Sequence, residues 1–191
     1  MDITQNASTE KNPNKLYEYA DDIIYSVRCA ESEDFRKVRD AFSCGNEVID
    51  HDFVDTEFDR KYVSYVVTDD SNGNIIAIYS LSCSACVYSI YDKNYFSPSA
   101  EIALFAVDQK YQDIKFKDGD DCLSSAIFSE LIYFIFTMTD DTIGATKIVL
   151  YATPNAVPFY SKCGFVEFQK DMLQNQDRYL DGCTPMYTDI R

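Results

Sequence analysis

The feature that most restricts the fold is an apolar helix predicted between two β-rich segments. Residues Leu123–Thr139 repeat Leu, Ile and Met at helical spacing, and aromatic residues widen that stripe. The flanking segments, Ala100–Val107 and Lys147–Ala152, are short and mostly apolar, which is typical of buried strands. A strand, a crossover helix and a second strand form a parallel pair with a right-handed connection. We therefore predict that these two strands are parallel neighbours in one sheet.

The other segments predict shorter strands and two helices. Tyr62–Thr68 and Ile75–Ser82 are β-rich runs joined through Asn72-Gly73, a pair that favours a hairpin turn. The same turn has oxygen ligands suited to calcium but lacks the closing glutamate of an EF-hand, so the hairpin is preferred. Further strands are predicted at Ile23–Arg28, Gly164–Phe168 and Pro185–Ile190, and helices at Glu33–Phe42 and about Asn46–Phe58. The predicted fold class is α/β (α+β type), with a mixed, mostly antiparallel sheet of six or seven strands and helices on both faces.

The domain organisation is predicted from length and from the N-terminal composition. The chain of 191 residues is expected to form one domain with a substantial core. We predict a flexible tail over residues 1–20 and a single domain over residues 21–191. The polar N-terminus lacks the apolar core of a signal peptide, and no stretch reaches the length of a membrane span. A cytoplasmic protein is expected, as a monomer or a homodimer.

The cysteines and the histidine do not predict a metal site. Seven cysteines without a secretion signal favour reduced thiols over a disulfide framework. Cys83 and Cys86 fall in a predicted strand, where side chains three positions apart point to opposite faces. The single histidine, His51, lies among aspartates in a predicted helix, and a surface position is favoured over a metal ligand. No metal is predicted.

The charge of the chain favours cationic partners. The formal net charge is −15, and the acidic excess is spread along the whole sequence. Such a surface repels phosphate backbones, so nucleic acid is a disfavoured ligand.

Two motifs in order resemble one protein family. The segment Tyr151–Phe168, YATPNAVPFYSKCGFVEF, ends a strand, carries Phe159-Tyr160 and turns at Gly164 into a new strand. About fifty residues upstream, Ser99–Val107, SAEIALFAV, is followed by DQKYQ. Together these segments resemble the core of the GNAT superfamily, the acyl-CoA-dependent N-acyltransferases. The resemblance covers roughly Ile23 to Ile190 and implies acetyl-CoA as a cosubstrate.

The resemblance implies two catalytic residues. Glu101 matches the position at which related members have a general base that accepts the proton of the amine. Tyr160 matches the tyrosine that contacts the CoA sulfur and is suited to protonate the leaving thiolate. The alternative for Glu101 is a strand-edge carboxylate in a salt bridge or facing solvent. The alternative for Tyr160 is a core aromatic residue.

The resemblance also implies residues that bind the cofactor. Backbone groups of the central strand are expected to polarise the thioester carbonyl and to pair with the pantetheine arm. Asn155 resembles the family residue that binds pantetheine or opens the next helix, and a role as N-cap alone is equally compatible. The predicted cofactor-binding residues are Leu104, Phe105, Ala106, Val107, Gln112, Lys115, Lys117, Gly119, Asn155 and Phe159.

The loop after the central strand departs from the family pattern. Members usually have a Q/R-x-x-G-x-G/A loop, whose backbone N–H groups hold the pyrophosphate at a helix N-terminus. Here Gln112 is followed by Asp113–Asp121, in which Gly119 is the only glycine. Asp120 and Asp121 would repel a phosphate. Lys115 and Lys117 are the residues that could compensate.

Three functions are therefore compatible with the sequence. The leading hypothesis is an N-acetyltransferase that acts on an amine of a small cationic molecule, a peptide or a protein. The second is a toxin-like GNAT protein that acetylates aminoacyl-tRNA, which Cys44–Asp50 and Pro185-Met186-Tyr187 favour by local resemblance. The third is a non-catalytic GNAT-fold binding module, which the altered loop favours.

Overall fold

The computed structural model describes residues 16–174 and 182–190, and most of the predicted tail, residues 1–15, lies outside these ranges. The described residues form four α-helices, two 3-10 turns and the eight strands of one sheet. The strands are β1 Tyr25–Cys29, β2 Val63–Asp69, β3 Ile75–Ile90, β4 Lys93–Val107, β5 Lys147–Ala152, β6 Val166–Glu167, β7 Met172–Leu173 and β8 Thr184–Asp189. The α-helices are α1 Ser32–Ala41, α2 Glu47–Asp55, α3 Leu123–Asp141 and α4 Val157–Lys162, with 3-10 turns at Ala20–Asp22 and Thr56–Phe58.

The eight strands form one mixed sheet in the order β1-β2-β3-β4-β5-β8-β6, and β7 pairs with β3. The β4–β5 pair is parallel, and the other pairs of described strands are antiparallel. The predicted mixed, mostly antiparallel sheet is therefore confirmed. The sheet has one or two strands more than predicted, because β7 is only two residues long and leaves little trace in the sequence pattern, whereas β6 lies within the predicted strand Gly164–Phe168.

The predicted parallel pair is present, with α3 as its crossover. Ser99–Ile102 of β4 pair with Lys147–Leu150 of β5. The apolar stripe of α3 is buried against one face of the sheet, together with α4 residues such as Tyr160. The opposite face is covered by α1 and α2, whose Phe35 and Phe53 form a second core cluster with Ile78. Helices therefore lie on both faces of the sheet, as predicted.

The β3–β4 hairpin is longer than predicted. Its strands extend to Ile90 and from Lys93, whereas the sequence pattern placed their ends at Ser82 and Ala100. Beyond the core, the strands stabilise each other through continuous antiparallel pairing down to the tip. The two cysteines in this extension face opposite sides, as predicted for a strand, with Cys83 exposed and Cys86 buried.

The β2–β3 turn is the predicted hairpin. The buried carboxylate of Asp69 accepts hydrogen bonds from Ser71 and Asn72 of the turn. It also accepts from the hydroxyls of Tyr17, at 2.6 Å, and Tyr111, at 3.1 Å. These donors use the carboxylate lone pairs that a cation would need, and they join the segment before residue 21 to the folded domain.

Among residues 16–174 and 182–190, we find no helix with the length and apolar character needed to cross a membrane.

Candidate functional site

A bulge in the central strand determines which side chains face the site. Ser80 of β3 pairs with Leu104 of β4 and Leu81 pairs with Ile102, so Ala103 is an extra residue on β4. Before the bulge, Ile102 packs in the α3-side core, and Glu101 therefore faces the α2 side. After the bulge, Leu104 packs against the α2-side core. The bulge thus brings Glu101 and Leu104 to the same face.

The two parallel strands separate immediately after Ile102, the residue that follows Glu101. Their ladder ends at the pair Ile102 and Leu150, although β4 continues to Val107 and β5 to Ala152. Ala103 is exposed, and Leu104 and Phe105 are half-buried, in contrast to the buried residues before them. We call this region the splay. Its position agrees with the place where the sequence predicts the thioester and the pantetheine arm.

An acidic cavity of about 320 Å³ opens at the splay on the α2 side of the sheet. Glu101 lines it and is only 3% exposed, which excludes the alternative of a solvent-facing carboxylate. Of the described residues that line the cavity, none is basic. The lining residues are Asp52, Asp55, Thr56, Asp59, Tyr62, Ser80, Glu101, Ala103, Leu104 and Tyr151.

The acidic wall of this cavity was not predicted from the sequence. Asp52 and Asp55 lie three positions apart on α2, so they share one side of that helix, and Asp59 follows the 3-10 turn after it. Burial and the neighbouring Asp55 raise the pKa of Asp52. Asp55 Oδ2 is 3.3 Å from Nδ1 of His51, and Asp59 Oδ2 is 2.8 Å from Nζ of Lys61. The helical spacing of Asp52 and Asp55 is the signal that could have identified part of the wall.

Tyr160 lies in an aromatic cluster on the other face of the sheet from Glu101. Its ring centroid is 5.3 Å from that of Phe128, 5.2 Å from that of Phe159 and 6.1 Å from that of Phe165. The residue is buried, and this burial raises the pKa of its hydroxyl above the usual value. Tyr160 is therefore a protonated donor throughout the neutral range. Tyr160 is not among the described residues that line the acidic cavity.

The predicted thioester-binding residues are divided between the two faces of β4. Phe105 and Val107 belong to the α3-side core, and Leu104 and Ala106 pack on the α2 side. Phe105 stacks on Phe159 of α4, with ring centroids 6.3 Å apart and planes inclined by 7°. This contact connects the splay to the aromatic cluster around Tyr160.

Asn155 is exposed in the turn between β5 and α4. The N-cap of α4 is Ala156, one residue later, so the alternative role of Asn155 as N-cap is wrong. The turn is instead closed by backbone bonds, in which Ala156 N–H and Val157 N–H donate to the carbonyl of Thr153.

Polar groups of the loop between β4 and α3 form hydrogen bonds within the loop and to neighbouring segments. Gln112 Nε2 donates to the carbonyls of Cys44 and Val107. The N–H groups of Phe116 and Leu123 donate to the carbonyls of Asp121 and Ile114, respectively. Gly119 adopts a positive φ of 131° at the exposed tip of this loop.

Lys115 and Lys117, the two lysines of the segment Asp113–Asp121, are next to carboxylates. Lys115 Nζ lies 3.7 Å from Asp120, and Lys117 Nζ lies 2.9 Å from Asp22. The backbone N–H of Lys117 also donates to Asp21. Carboxylates therefore already lie beside the two lysines, and this arrangement of the loop does not fit a diphosphate.

In the described parts of the chain, no group of three or more His, Cys, Asp or Glu side chains is arranged to hold a metal ion. His51 is exposed on α2, in agreement with the predicted surface position.

Comparison with solved structures identifies proteins of the same fold. One is described as a bacterial toxin, with a TM-score of 0.65 and 19% identity over 88% of this chain and 92% of that chain. AtaTR bound with AcCoA matches with a TM-score of 0.59 and 16% identity over 88% and 94%. AtaT complexed with acetyl-methionyl-tRNAfMet matches with a TM-score of 0.59 and 14% identity over 87% and 95%. The chain has the fold of these toxins, and the predicted GNAT-like architecture is confirmed.

No known protein family matches the sequence, and no curated protein matches it either.

Proposed function

We propose that this protein is an acetyl-CoA-dependent N-acetyltransferase. The observation that carries the proposal is the buried Glu101 in a cavity that opens where β4 and β5 separate. A carboxylate at this place can accept a proton from an amine that enters through the cavity. The separated strands leave residues 103–106 of β4 without pairing to β5, so their backbone groups can bind the thioester, which supports binding of acetyl-CoA.

The proposed reaction transfers one acetyl group from sulfur to nitrogen and, in net, one proton from nitrogen to sulfur, because Glu101 releases its proton to solvent and Tyr160 regains one from solvent before the next turnover. The amine nitrogen attacks the thioester carbonyl carbon, and Glu101 accepts the proton that the nitrogen loses, directly or through water. The tetrahedral intermediate collapses with cleavage of the C–S bond. The leaving CoA thiolate then takes a proton from the Tyr160 hydroxyl, which burial keeps protonated. Backbone N–H groups at the splay stabilise the oxyanion.

The comparisons favour aminoacyl-tRNA as the acceptor. AtaT, which has been solved in complex with acetyl-methionyl-tRNAfMet, has the same fold over 87% of this chain. Arg36 and Arg39 are exposed three positions apart on α1, and Arg39 lines a neighbouring groove that shares Asp55 with the acidic cavity. Arg39 is placed where a phosphate could approach the acceptor side, in a groove that is also lined by Glu47, Asp50 and Asp55. We therefore propose the amino group of an aminoacyl-tRNA as the first candidate acceptor.

A small cationic amine or a peptide is the second candidate, and the acidic cavity favours it. The aspartates of the wall and the net charge of −15 attract a compact cation and repel an extended polyanion. A non-catalytic binding module is the remaining alternative, and the internally bonded loop after β4 is the observation that favours it.

Binding of the cosubstrate is the first test. We expect acetyl-CoA to bind in the micromolar range, about 8 kcal/mol, in isothermal titration calorimetry. Because carboxylates lie beside both Lys115 and Lys117, the diphosphate should contribute little. Acetyl-pantetheine, which lacks the nucleotide, should therefore bind within about tenfold of acetyl-CoA. The absence of heat and of thermal stabilisation at millimolar acetyl-CoA would instead favour the non-catalytic module.

Acceptor class is tested by parallel transfer assays with radiolabelled acetyl-CoA. We expect methionyl-tRNA to be acetylated and the product to resist the spontaneous deacylation that a free α-amino group permits. Replacing both Arg36 and Arg39 by Ala should raise KM for the tRNA several-fold and leave KM for acetyl-CoA unchanged. Acetylation of spermidine or of a lysine peptide, with none of methionyl-tRNA, would select the second candidate.

A further inference from the structure

The segment before β1 lies across the loop that follows β4, and we call residues 16–22 the strap. Ala20 anchors the strap, because its side chain is buried in the α3-side core. Its backbone N–H donates to the carbonyl of Lys115 in the loop, at 2.9 Å. The hydroxyl of Tyr17 donates to the buried carboxylate of Asp69, at 2.6 Å. The strap is therefore held in a defined place beside the loop.

The strap provides the hydrogen-bond partners of Lys117. The backbone N–H of Lys117 donates to Asp21 Oδ2, at 2.7 Å. Its ammonium group donates to Asp22 Oδ1, at 2.9 Å, and lies 5.4 Å from the centroid of the Tyr19 ring. Carboxylates of the strap thus bind both the backbone donor and the charged donor of this one loop residue.

These carboxylates use the kind of donor that a phosphate would use. Carboxylates and phosphates both bind backbone N–H and ammonium groups through anionic oxygens. The side chains of Lys117 and Asp22 are 50% and 49% exposed, so a ligand can reach this ammonium once the carboxylates are removed. Because solvent screens an exposed pair, the pair contributes little to stability, and its removal should leave the fold intact.

We propose that Asp21 and Asp22 are specificity-determining residues that bind Lys117 in place of a diphosphate, so that the acetyl donor is recognised through its pantetheine arm and not through its nucleotide. This inference rests on the proposed function and names the part of the donor that is recognised. A loop that does not close around a diphosphate needs no run of glycines, which agrees with the single glycine of Asp113–Asp121.

The test compares the dissociation constants of coenzyme A and of pantetheine, measured by isothermal titration calorimetry. Replacing both Asp21 and Asp22 by Ala frees the two donors of Lys117. This variant should bind coenzyme A about threefold to tenfold more tightly than wild type, the usual effect of one hydrogen bond. Pantetheine, which lacks the diphosphate, should bind equally well to both proteins.

Replacing Lys117 by Met distinguishes the freed lysine from a general effect of charge. In the wild-type background this substitution should change the affinity for either probe little, because the strap already binds the ammonium. In the double Ala background it should remove most of the gain for coenzyme A. A gain that survives Lys117→Met overturns the inference, as does the absence of any gain in the double Ala variant.

Asp92→Asn combined with Glu167→Gln is the control for net charge, since it removes two exposed carboxylates from the β3–β4 turn and from β6. It should leave the ratio of the two dissociation constants unchanged, and a gain equal to that of the double Ala variant overturns the inference. If the double Ala variant does not fold, Asp22→Asn decides in its place.

The inference and the proposed function fail in different ways. A selective gain for coenzyme A, without acetyl transfer to any acceptor, would keep the inference and reject the proposed function. Acetyl transfer without that gain would reject the inference alone. If neither probe binds to wild type or to the double Ala variant, both are rejected.

Discussion

Glu101→Gln is expected to lower kcat by about a hundredfold to ten-thousandfold, the usual contribution of a general base. The amide keeps the size and the hydrogen-bonding reach of the carboxylate but cannot accept the proton of the amine. Because Glu101 is buried in the cavity wall, water replaces it poorly as a base. Steady-state acetyl transfer over a range of pH, together with calorimetric binding of acetyl-CoA, measures the effect.

Glu167→Gln on the exposed strand β6 is the matched control and should leave kcat unchanged. Acetyl-CoA binding should also be unchanged in Glu101→Gln, because the residue lies on the amine side of the splay. A rate within twofold of wild type would show that Glu101 has only a structural role. A parallel loss of binding and rate would mean that the substitution has altered the site as a whole.

The sheet around this site could be predicted because local patterns determine it. The apolar stripe of Leu123–Thr139 between two apolar strands leaves few arrangements other than a parallel pair with a crossover helix. Local sequence patterns do not predict where β3 ends and where β4 begins. Beyond Ser82 and Ala100 their stability comes from pairing with each other, which is a long-range property.

The composition of the cavity could be predicted only in part. Simple alternation along β4 would place Glu101, Ala103 and Phe105 on one face. The bulge moves Phe105 to the α3 side and brings Leu104 to the face of Glu101, and no residue of the sequence AEIALFAV marks that bulge. Asp52 and Asp55 show helical spacing, but the sequence does not tell which way that side of α2 faces.

The loop after β4 shows a third limit of prediction from the sequence, which concerns the partners of its lysines. Its lysines were predicted to compensate for the missing glycines, from charge alone. Their actual neighbours, Asp22 and Asp120, include a residue nearly one hundred positions away from Lys117. Such a pairing depends on where the segment before β1 crosses the loop, and no local pattern encodes that path.

Tyr160→Phe is expected to lower kcat by about a hundredfold or more, the lower end of the range for a general acid, with acetyl-CoA binding nearly intact. Phenylalanine fills the same place against Phe128, Phe159 and Phe165, so the aromatic cluster and the stability should be retained. The hydroxyl is the only group lost, and burial keeps it protonated through the neutral range. The substitution should therefore lower the rate by a similar factor at each neutral pH.

A thioester with a different leaving group distinguishes proton donation by Tyr160 from a role in packing alone. An acetyl thioester of an acidic aryl thiol releases a stable aryl thiolate, which needs no proton. Wild type and Tyr160→Phe should therefore use this thioester at similar rates. Tyr133→Phe, on the exposed side of α3, is the control for a tyrosine hydroxyl outside the site and should match wild type with both thioesters. If Tyr160→Phe is equally slow with both, the hydroxyl orients the substrate and does not protonate the thiolate. If it is fast with both, Tyr160 only packs, and the proton for the CoA thiolate must come from water admitted at the splay.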